Sequence, residues 1–260
     1  MTTIDYSSWA DRYDTTRGAS PSVLNVLLRV FGDPASRSLL DIGCGTGNFA
    51  VPLAQAGFTV TLGDFTADMV RRALAKLPQA PTVIADGQRL PFRGASFDCA
   101  VSVNVFGHLP DWRAALVEAR RVVRSGPFVL KTSTQETQKA NWLREYLPEI
   151  DAFAPPSHYQ AEETIADALR VAGFSSVEID RVIYNDVVDG SVQALKWFPE
   201  ALLAHEGNTA VFMRLPARER RAGLARIRAD HESGCLRDLL ARYEEAHHRY
   251  GDGSVFICHP

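Results

Sequence analysis

The chain has 260 residues, of which 46% are hydrophobic and 23% are charged, and its formal net charge is −3. These values are ordinary for a folded globular protein, and the near balance of charge argues against a nucleic-acid-binding surface. The four cysteines lack metal-site spacing, no apolar run approaches the roughly 20 residues of a membrane span, and the first residues do not resemble a secretion signal. We therefore expect a cytoplasmic protein that has no nucleic acid, membrane or metal as a partner.

The first part of the chain predicts an α/β fold. Ser20-Pro21 is typical of a helix start and Gly32 of a helix end. Strands and helices then alternate up to residue 133, which predicts a doubly wound parallel sheet with helices on both faces. The five predicted strands of this region cover residues 38–42, 59–62, 82–85, 97–103 and 128–132.

The pattern changes after the fifth predicted strand. Residues 134–160 are polar and aromatic and predict a cap insertion, and residues 161–183 predict a helix and a sixth strand. Residues 184–250 predict a helical lobe, in which nine arginines and six acids over 214–249 accompany an apolar side. Residues 251–260 predict a last strand that returns to the sheet. Cap and lobe together predict a cover over an apolar substrate, from their aromatic residues Trp142, Tyr146, Phe153, Tyr159, Trp197, Phe198 and Phe212.

A glycine-rich turn follows the first predicted strand, in the run Leu-Leu-Asp-Ile-Gly-Cys-Gly-Thr-Gly that ends at Gly47. Glycine tolerates positive φ and lets a ligand lie against bare backbone. A dinucleotide site of the form G-x-G-x-x-G/A would need a small residue where Asn48 stands. Asp41 also precedes the turn, and an acid there suits a cationic ligand better than a pyrophosphate.

This run resembles motif I of the class I S-adenosylmethionine (SAM) dependent methyltransferases. A second stretch, Leu90-Pro91-Phe92 followed by Ser96-Phe97-Asp98, resembles the L-P-F … S-F-D signature of the quinone-biosynthesis (methyltransferase type 11) group. The helix that reads Glu-Ala-Arg-Arg-Val-Val resembles the one that leads into the family's R-V-L-x-P-G-G turn. Ser125 and Pro127 depart from that turn, which lies outside the cofactor pocket.

The resemblance implies a seven-stranded Rossmann-like sheet in the order 3-2-1-4-5-7-6, with the last strand antiparallel, and a mainly helical substrate lobe. It implies that residues 38–133 bind SAM, with S-adenosylhomocysteine (SAH) as the product, and that helices within residues 1–37 cover the cofactor. Asp64 ends the second predicted strand, where a carboxylate accepts hydrogen bonds from ribose hydroxyls. The expected cofactor-binding residues are Tyr13, Arg17, Asp41, Gly43, Cys44, Gly45, Gly47, Asp64, Phe65, Met69, Asp86, Gly87, Gln88, Asn104 and Val105.

Two histidines are candidates for a general base. His108 follows the fourth predicted strand and could accept a proton from a substrate hydroxyl, and His158 in the cap is a weaker candidate. Catechol-type enzymes of this fold hold magnesium through carboxylates at this site, where the chain has Asn104, so we expect no metal.

The sequence thus predicts methyl transfer from SAM to a small, partly apolar molecule, at oxygen, nitrogen or carbon, in specialised or quinone-like metabolism. The main alternative is a SAM-binding enzyme of the same fold that catalyses a step such as cyclisation. An RNA methyltransferase and a nicotinamide oxidoreductase fit the residues less well. A homodimer remains open.

Overall fold

The structure is a computed structural model that describes residues 18–35, 37–183 and 215–260. A single seven-stranded sheet forms its centre, in the order β3-β2-β1-β4-β5-β7-β6. The strands are β1 Ser38–Ile42, β2 Thr59–Asp64, β3 Thr82–Ile84, β4 Cys99–Val103, β5 Phe128–Thr132, β6 Ser176–Val182 and β7 Gly253–His259. The predicted strand order is confirmed.

The helices of the described residues are α1 Pro21–Phe31, α2 Ala50–Gln55, α3 Ala67–Lys76, α4 Trp112–Val122, α5 Gln135–Gln138, α6 Leu143–Tyr146, α7 Glu162–Val171, α8 Ala217–Ser233 and α9 Cys235–Tyr250. Short 3-10 turns cover Phe106–His108, Pro148–Ala152 and Pro156–His158. Among these described helices, none has both the length and the apolar character that crossing a bilayer requires.

The parallel direction of the strands brings their carboxyl ends together at one edge of the sheet. Strands β1 to β5 pair in parallel, and β7 lies antiparallel between β5 and β6. The carboxyl ends of β1, β2, β4 and β5 therefore meet at one edge, where ligands bind in sheets of this kind. Asp41 of β1 is in register with Leu62 of β2 and Val101 of β4, one residue from where β1 ends.

The alternating side chains of the strands build two apolar layers. Leu39 and Val129 face the layer formed with α1, α2 and α3, whereas Leu40 and Leu130 face the layer formed with α4 and α7. Adjacent residues of each strand are buried on opposite faces, as a doubly wound sheet requires. This arrangement fixes the edge at which the site lies.

A third buried cluster lies in the lobe. It joins the segment predicted as a cap to the two long helices near the chain end, through Trp142, Tyr146, Leu147, Ile150, Ile227, Leu236 and Leu239, among others. Trp142 and Tyr146, which we expected over the substrate, are instead buried in this core because their rings pack against each other and their neighbours. Cap and helices α8 and α9 therefore share one core, which we call the lobe core.

Gly234 divides the arginine-rich stretch into helices α8 and α9. Its φ of +87° is left-handed, the conformation that glycine supplies at helix ends. The expected aromatic residues Trp197, Phe198 and Phe212 lie outside the described residues, as do the predicted cofactor contacts Tyr13 and Arg17.

The two signature stretches stabilise the fold. The Glu118 carboxylate accepts the Leu90 N–H at 2.7 Å, and Arg121, paired with Glu118 at 2.6 Å, donates to the carbonyl oxygens of Leu90 and Phe92. Asp98 accepts from the Ser38 N–H at 2.9 Å, and this bond is the main reason that the pKa of its carboxyl is lowered. Both parts of the L-P-F … S-F-D signature therefore stabilise the fold.

Candidate cofactor and acceptor site

The glycine turn after β1 has three left-handed glycines. Gly43, Gly45 and Gly47 have φ of +76°, +54° and +82°. The N–H groups of Gly43 and Cys44 both donate to the Gly63 carbonyl of β2, at 2.7 and 3.0 Å. These bonds attach the turn to the neighbouring strand, so its conformation is held before any ligand arrives.

Gly43 and Gly45 face different surroundings. A Cβ on Gly43 would lie 2.2 Å from Cγ2 of Val105, so only glycine fits between the turn and the end of β4. A Cβ on Gly45 would have no described atom within 4 Å. The turn is closed toward β4 and open at Gly45, which is the bare backbone that a nucleoside-bearing ligand needs.

Asp64 at the end of β2 is joined to this turn. Its Oδ2 accepts the Gly45 N–H at 2.8 Å and its Oδ1 accepts the Thr66 N–H at 2.8 Å. Burial raises the pKa of the Asp64 carboxyl, while these N–H donors act in the opposite direction. These donors hold the carboxylate in place at the carboxyl edge of the sheet, where a strand-end acid is positioned to meet ribose hydroxyls.

Asp41 is buried beneath the turn. Burial, followed by the repulsion of Asp64, raises the pKa of the Asp41 carboxyl to about 7. Burial also raises the pKa of the Cys44 thiol far above its usual range. Cys44 is thus an inert side chain whose contribution to the turn is its backbone, whereas Asp41 is poised to ionise beside a cation.

Phe65 and Met69 were both expected to flank an adenine ring. Phe65 is 75% exposed, directly after Asp64, whereas Met69 in α3 is buried. A large apolar side chain that is exposed at a ligand edge is available for a ring to pack on. Phe65 is placed for that contact, and Met69 is part of the interior of the protein.

Asp86, Gly87 and Gln88 lie after β3. Both carboxylate oxygens of Asp86 accept from the Gln88 side-chain amide, at 2.9 and 3.0 Å, and Oδ1 also accepts the Gln88 N–H. The Gln88 side-chain oxygen accepts the Asp111 N–H at 2.7 Å, and Asp111 caps α4. Gln88 therefore orients Asp86, and an adenine amino group would have to use the one remaining lone pair of that carboxylate.

A buried lysine that the sequence analysis did not select lies behind Asn104. Lys131 of β5 is 2% exposed, and its Nζ donates to Asn104 Oδ1 at 2.9 Å. The Asn104 N–H donates to the Lys131 carbonyl at 2.8 Å, and Asn104 itself is exposed with a φ of +58°. The available signal was a single charged residue inside the apolar strand Phe-Val-Leu-Lys-Thr.

The two candidate bases are both on exposed 3-10 turns. His108 ends Phe106–His108, just after β4, and its N–H donates to the Val105 carbonyl at 2.9 Å. His158 ends Pro156–His158, which lies against α5. His108 is thus four residues from Asn104 at the carboxyl edge, and His158 belongs to the segment that leads out of the lobe.

The acids of the described residues are not arranged as a metal site. Within residues 18–35, 37–183 and 215–260, no three His, Cys, Asp or Glu side chains are grouped to hold a metal ion. At the carboxyl edge, the charge of Asp64 contributes to the raised pKa of Asp41. The expectation that no metal takes part stays a prediction.

The chain is similar to several known proteins that are named as methyltransferases. Residues 40–130 match the family described as a methyltransferase domain. The chain is 30% identical over 164 residues to an uncharacterised protein of Mycobacterium bovis, covering 60% of each chain. It is 31% identical over 160 residues to a malonyl-acyl-carrier-protein O-methyltransferase of Pseudescherichia vulneris, covering 62% of this chain and 63% of that one. The chain therefore spans less than two thirds of either relative's length.

The structural similarity to known proteins covers more of the chain than the sequence similarity does. A solved structure from Anabaena variabilis, named as a candidate methyltransferase from an antibiotic biosynthesis pathway, superposes with a TM-score of 0.77. It covers 95% of this chain and 99% of that one at 22% identity. The lobe is therefore part of a known arrangement as well as the sheet.

Proposed function

The chain belongs to the class I SAM-dependent methyltransferases, and from that premise we propose that it transfers the methyl group of SAM to a small, partly apolar molecule. The acceptor atom is oxygen, nitrogen or carbon. The observation that carries the proposal is the glycine turn, closed against Val105, open at Gly45 and bonded to Asp64. No other described feature combines bare backbone with a fixed carboxylate at the ligand edge.

The residues of this edge fit SAM. Gly45 offers open backbone, Asp64 offers acceptors for ribose hydroxyls, and Phe65 offers an exposed ring for adenine. Asp41 supplies a carboxylate close to ionisation, which the positive charge of a sulfonium favours. The remaining predicted contacts, including Tyr13 and Arg17, are proposed on the family resemblance alone.

The protein acts mainly by positioning the acceptor next to the methyl group and by excluding water from the site. SAM supplies an activated methyl group whose departing sulfur needs no proton. The chain must therefore hold the acceptor atom in line with that methyl, which removes the entropy of bringing two molecules together. His108 is the proposed proton acceptor where the nucleophile is a hydroxyl or an acidic carbon, and His158 the weaker one.

The acceptor class has separate support. The L-P-F … S-F-D signature resembles that of a group that acts on small molecules, and Phe153 and Tyr159 lie partly buried at the border of the lobe core. One relative is named for O-methylation, which supports oxygen among the candidate atoms. We also propose a cytoplasmic location and a division of the chain into the six predicted segments.

Titration calorimetry with SAM and SAH tests cofactor binding, and methyl-labelled SAM with an acceptor panel, followed by mass spectrometry, tests transfer. We expect binding of both cofactor forms and labelled product with SAH formed in equal amount. Absence of SAH binding contradicts the proposal. Conversion of an acceptor without SAH formation favours an enzyme that catalyses a cyclisation. Salt-sensitive retention on RNA favours an RNA methyltransferase. Binding of a nicotinamide cofactor favours an oxidoreductase.

A further inference from the structure

Lys131 lies at a position where the proposed reaction would need a recognition group. It is the fourth residue of β5, and Thr134, three residues later, opens the lobe by capping α5. On its other side, Val105 follows Asn104 and packs on Gly43 of the turn. The pair of Lys131 and Asn104 thus stands between the cofactor turn and the lobe.

The hydrogen bond between the two residues determines which end of the Asn104 amide faces outward. A lysine ammonium has three donors and no acceptor, so it can be satisfied only by the amide oxygen. Lys131 Nζ holds Asn104 Oδ1 at 2.9 Å, and the backbone bond from Asn104 N–H to the Lys131 carbonyl fixes the spacing. The exposed Asn104 must therefore turn its NH₂ group toward solvent and any ligand.

An exposed donor backed by a buried cation selects a specific kind of partner. The NH₂ of Asn104 can donate to an oxygen but cannot accept from an ammonium or an amine N–H. This outward donor favours an oxygen acceptor, most strongly an anionic one, and opposes a protonated amine.

We propose that Lys131 and Asn104 form an oxyanion-recognition pair and that the methyl acceptor carries a carboxylate or similar anionic oxygen placed against Asn104. Lys131 is the positioning residue, and Asn104 touches the ligand. This inference rests on the proposed function, since it deepens the acceptor class of that same site.

Binding of benzoate, benzamide and benzylamine, measured by ligand-observed NMR at saturating SAH, tests the pair. Wild-type protein is expected to bind benzoate in preference to the other two probes. Lys131→Met frees the amide to rotate, so we expect benzoate to bind on the order of tenfold more weakly, which is about 1.4 kcal/mol, while benzylamine improves. Asn104→Asp removes the donor and should likewise reject benzoate.

The matched control is Lys76→Met, because the exposed Lys76 also donates to an asparagine oxygen at 2.9 Å, that of Asn48. It should keep the wild-type order of probes. Thermal unfolding and SAH calorimetry on each variant separate a folding defect from a loss of recognition.

Three results overturn the inference without contradicting the proposed function. One is that SAH-bound wild type fails to prefer benzoate. Another is that Lys131→Met keeps the wild-type preference. The third is that Lys131→Met loses SAH affinity by the same factor, which would assign the pair to the carboxylate of the cofactor. Failure of wild type to bind SAH at all contradicts the proposed function instead.

Discussion

The carboxyl edge of the sheet and the lobe core are built in opposite ways. The edge uses short segments in which backbone conformation and polar contacts decide the shape, as at Gly43, Gly45 and Asp64. The lobe core uses apolar side chains from distant parts of the chain, such as Trp142 and Ile227. The carboxyl edge can be recognised in the sequence as a motif. The lobe core can be recognised only as a high content of hydrophobic residues.

This difference predicts that the two regions respond separately to substitution. Residues over 7–10 Å apart with no shared partners contribute nearly additively to stability. We expect changes in the lobe core to lower stability without changing cofactor affinity, whereas changes in the turn should lower cofactor affinity as well as stability.

The largest effect is expected from Ile227→Ala in the lobe core. Ile227 is fully buried, and truncation of such a side chain costs about 2–5 kcal/mol through lost contacts and the cavity left behind. Chemical denaturation measures the loss, and SAH calorimetry should give an unchanged dissociation constant. Val171→Ala, at a largely exposed position, is the control. A matching loss of SAH affinity would show that the two regions are coupled.

Gly43→Ala should weaken SAH binding about 100-fold, or about 2.8 kcal/mol. The new Cβ combines a φ of +76° with a position 2.2 Å from Val105 Cγ2, so the turn or β4 must move. Calorimetry measures the affinity, and Gly32→Ala is the control because its φ is +68° with no described atom within 4 Å of the new Cβ. Adding Val105→Ala should recover part of the binding, and no recovery would speak against the clash.

Asp64→Asn should weaken SAH binding about tenfold, near 1.4 kcal/mol. One oxygen becomes an NH₂ group facing the Gly45 or Thr66 N–H, so a hydrogen bond to the turn and an acceptor for ribose are lost together. Calorimetry compares it with Asp68→Asn, which removes only a surface ion pair with Arg71. Equal affinities for these two variants would contradict the role of Asp64.

A pH dependence of stability is expected from Asp41. Its pKa is raised from 3.8 to about 7, so the folded protein binds this proton more tightly than the unfolded chain does. That contribution is complete below pH 3.8 and is lost as pH rises through 7. Asp41→Asn should therefore flatten the fall in Tm of the ligand-free protein between pH 5 and pH 8.

Asp98→Asn is the control of opposite sign for that measurement. The pKa of Asp98 is lowered, so its stabilising contribution is present above pH 3.8 and is lost as pH falls below that value. Its substitution should lower Tm throughout pH 5 to 8 without changing the slope. An unchanged slope in Asp41→Asn would contradict the assignment to Asp41.

Much of the cofactor edge was predictable because its features are local. Three glycines indicate positive φ by residue type, namely Gly43, Gly45 and Gly47. Asp64 ends a strand that can be recognised by its alternation of apolar and polar residues. The helix bounds were less predictable: the segment predicted as a cap contains two short helices, α5 and α6, whose bounds the sequence analysis does not give. Short segments of this kind take their shape from the neighbours that they pack against.

The roles of individual side chains required the folded chain. Trp142 and Tyr146 looked like a substrate cover, yet they fill the lobe core, because their partners come from helices about 80 residues away. Lys131 looked like an ordinary strand residue, yet it is paired with Asn104. Neither fact follows from spacing along the sequence, since both depend on which strands and helices become neighbours.

The sequence by itself determined the family, the alternation of strands and helices, and the turn that can take a nucleoside-bearing ligand. Those properties depend on residue type at adjacent positions, through φ preference and apolar periodicity. Only the tertiary structure decided which side chains meet across the carboxyl edge, that Gly43 is closed by Val105, and that Lys131 orients Asn104. Contacts of that kind are made between strands β1, β4 and β5, whose register is set by the packing of the whole sheet.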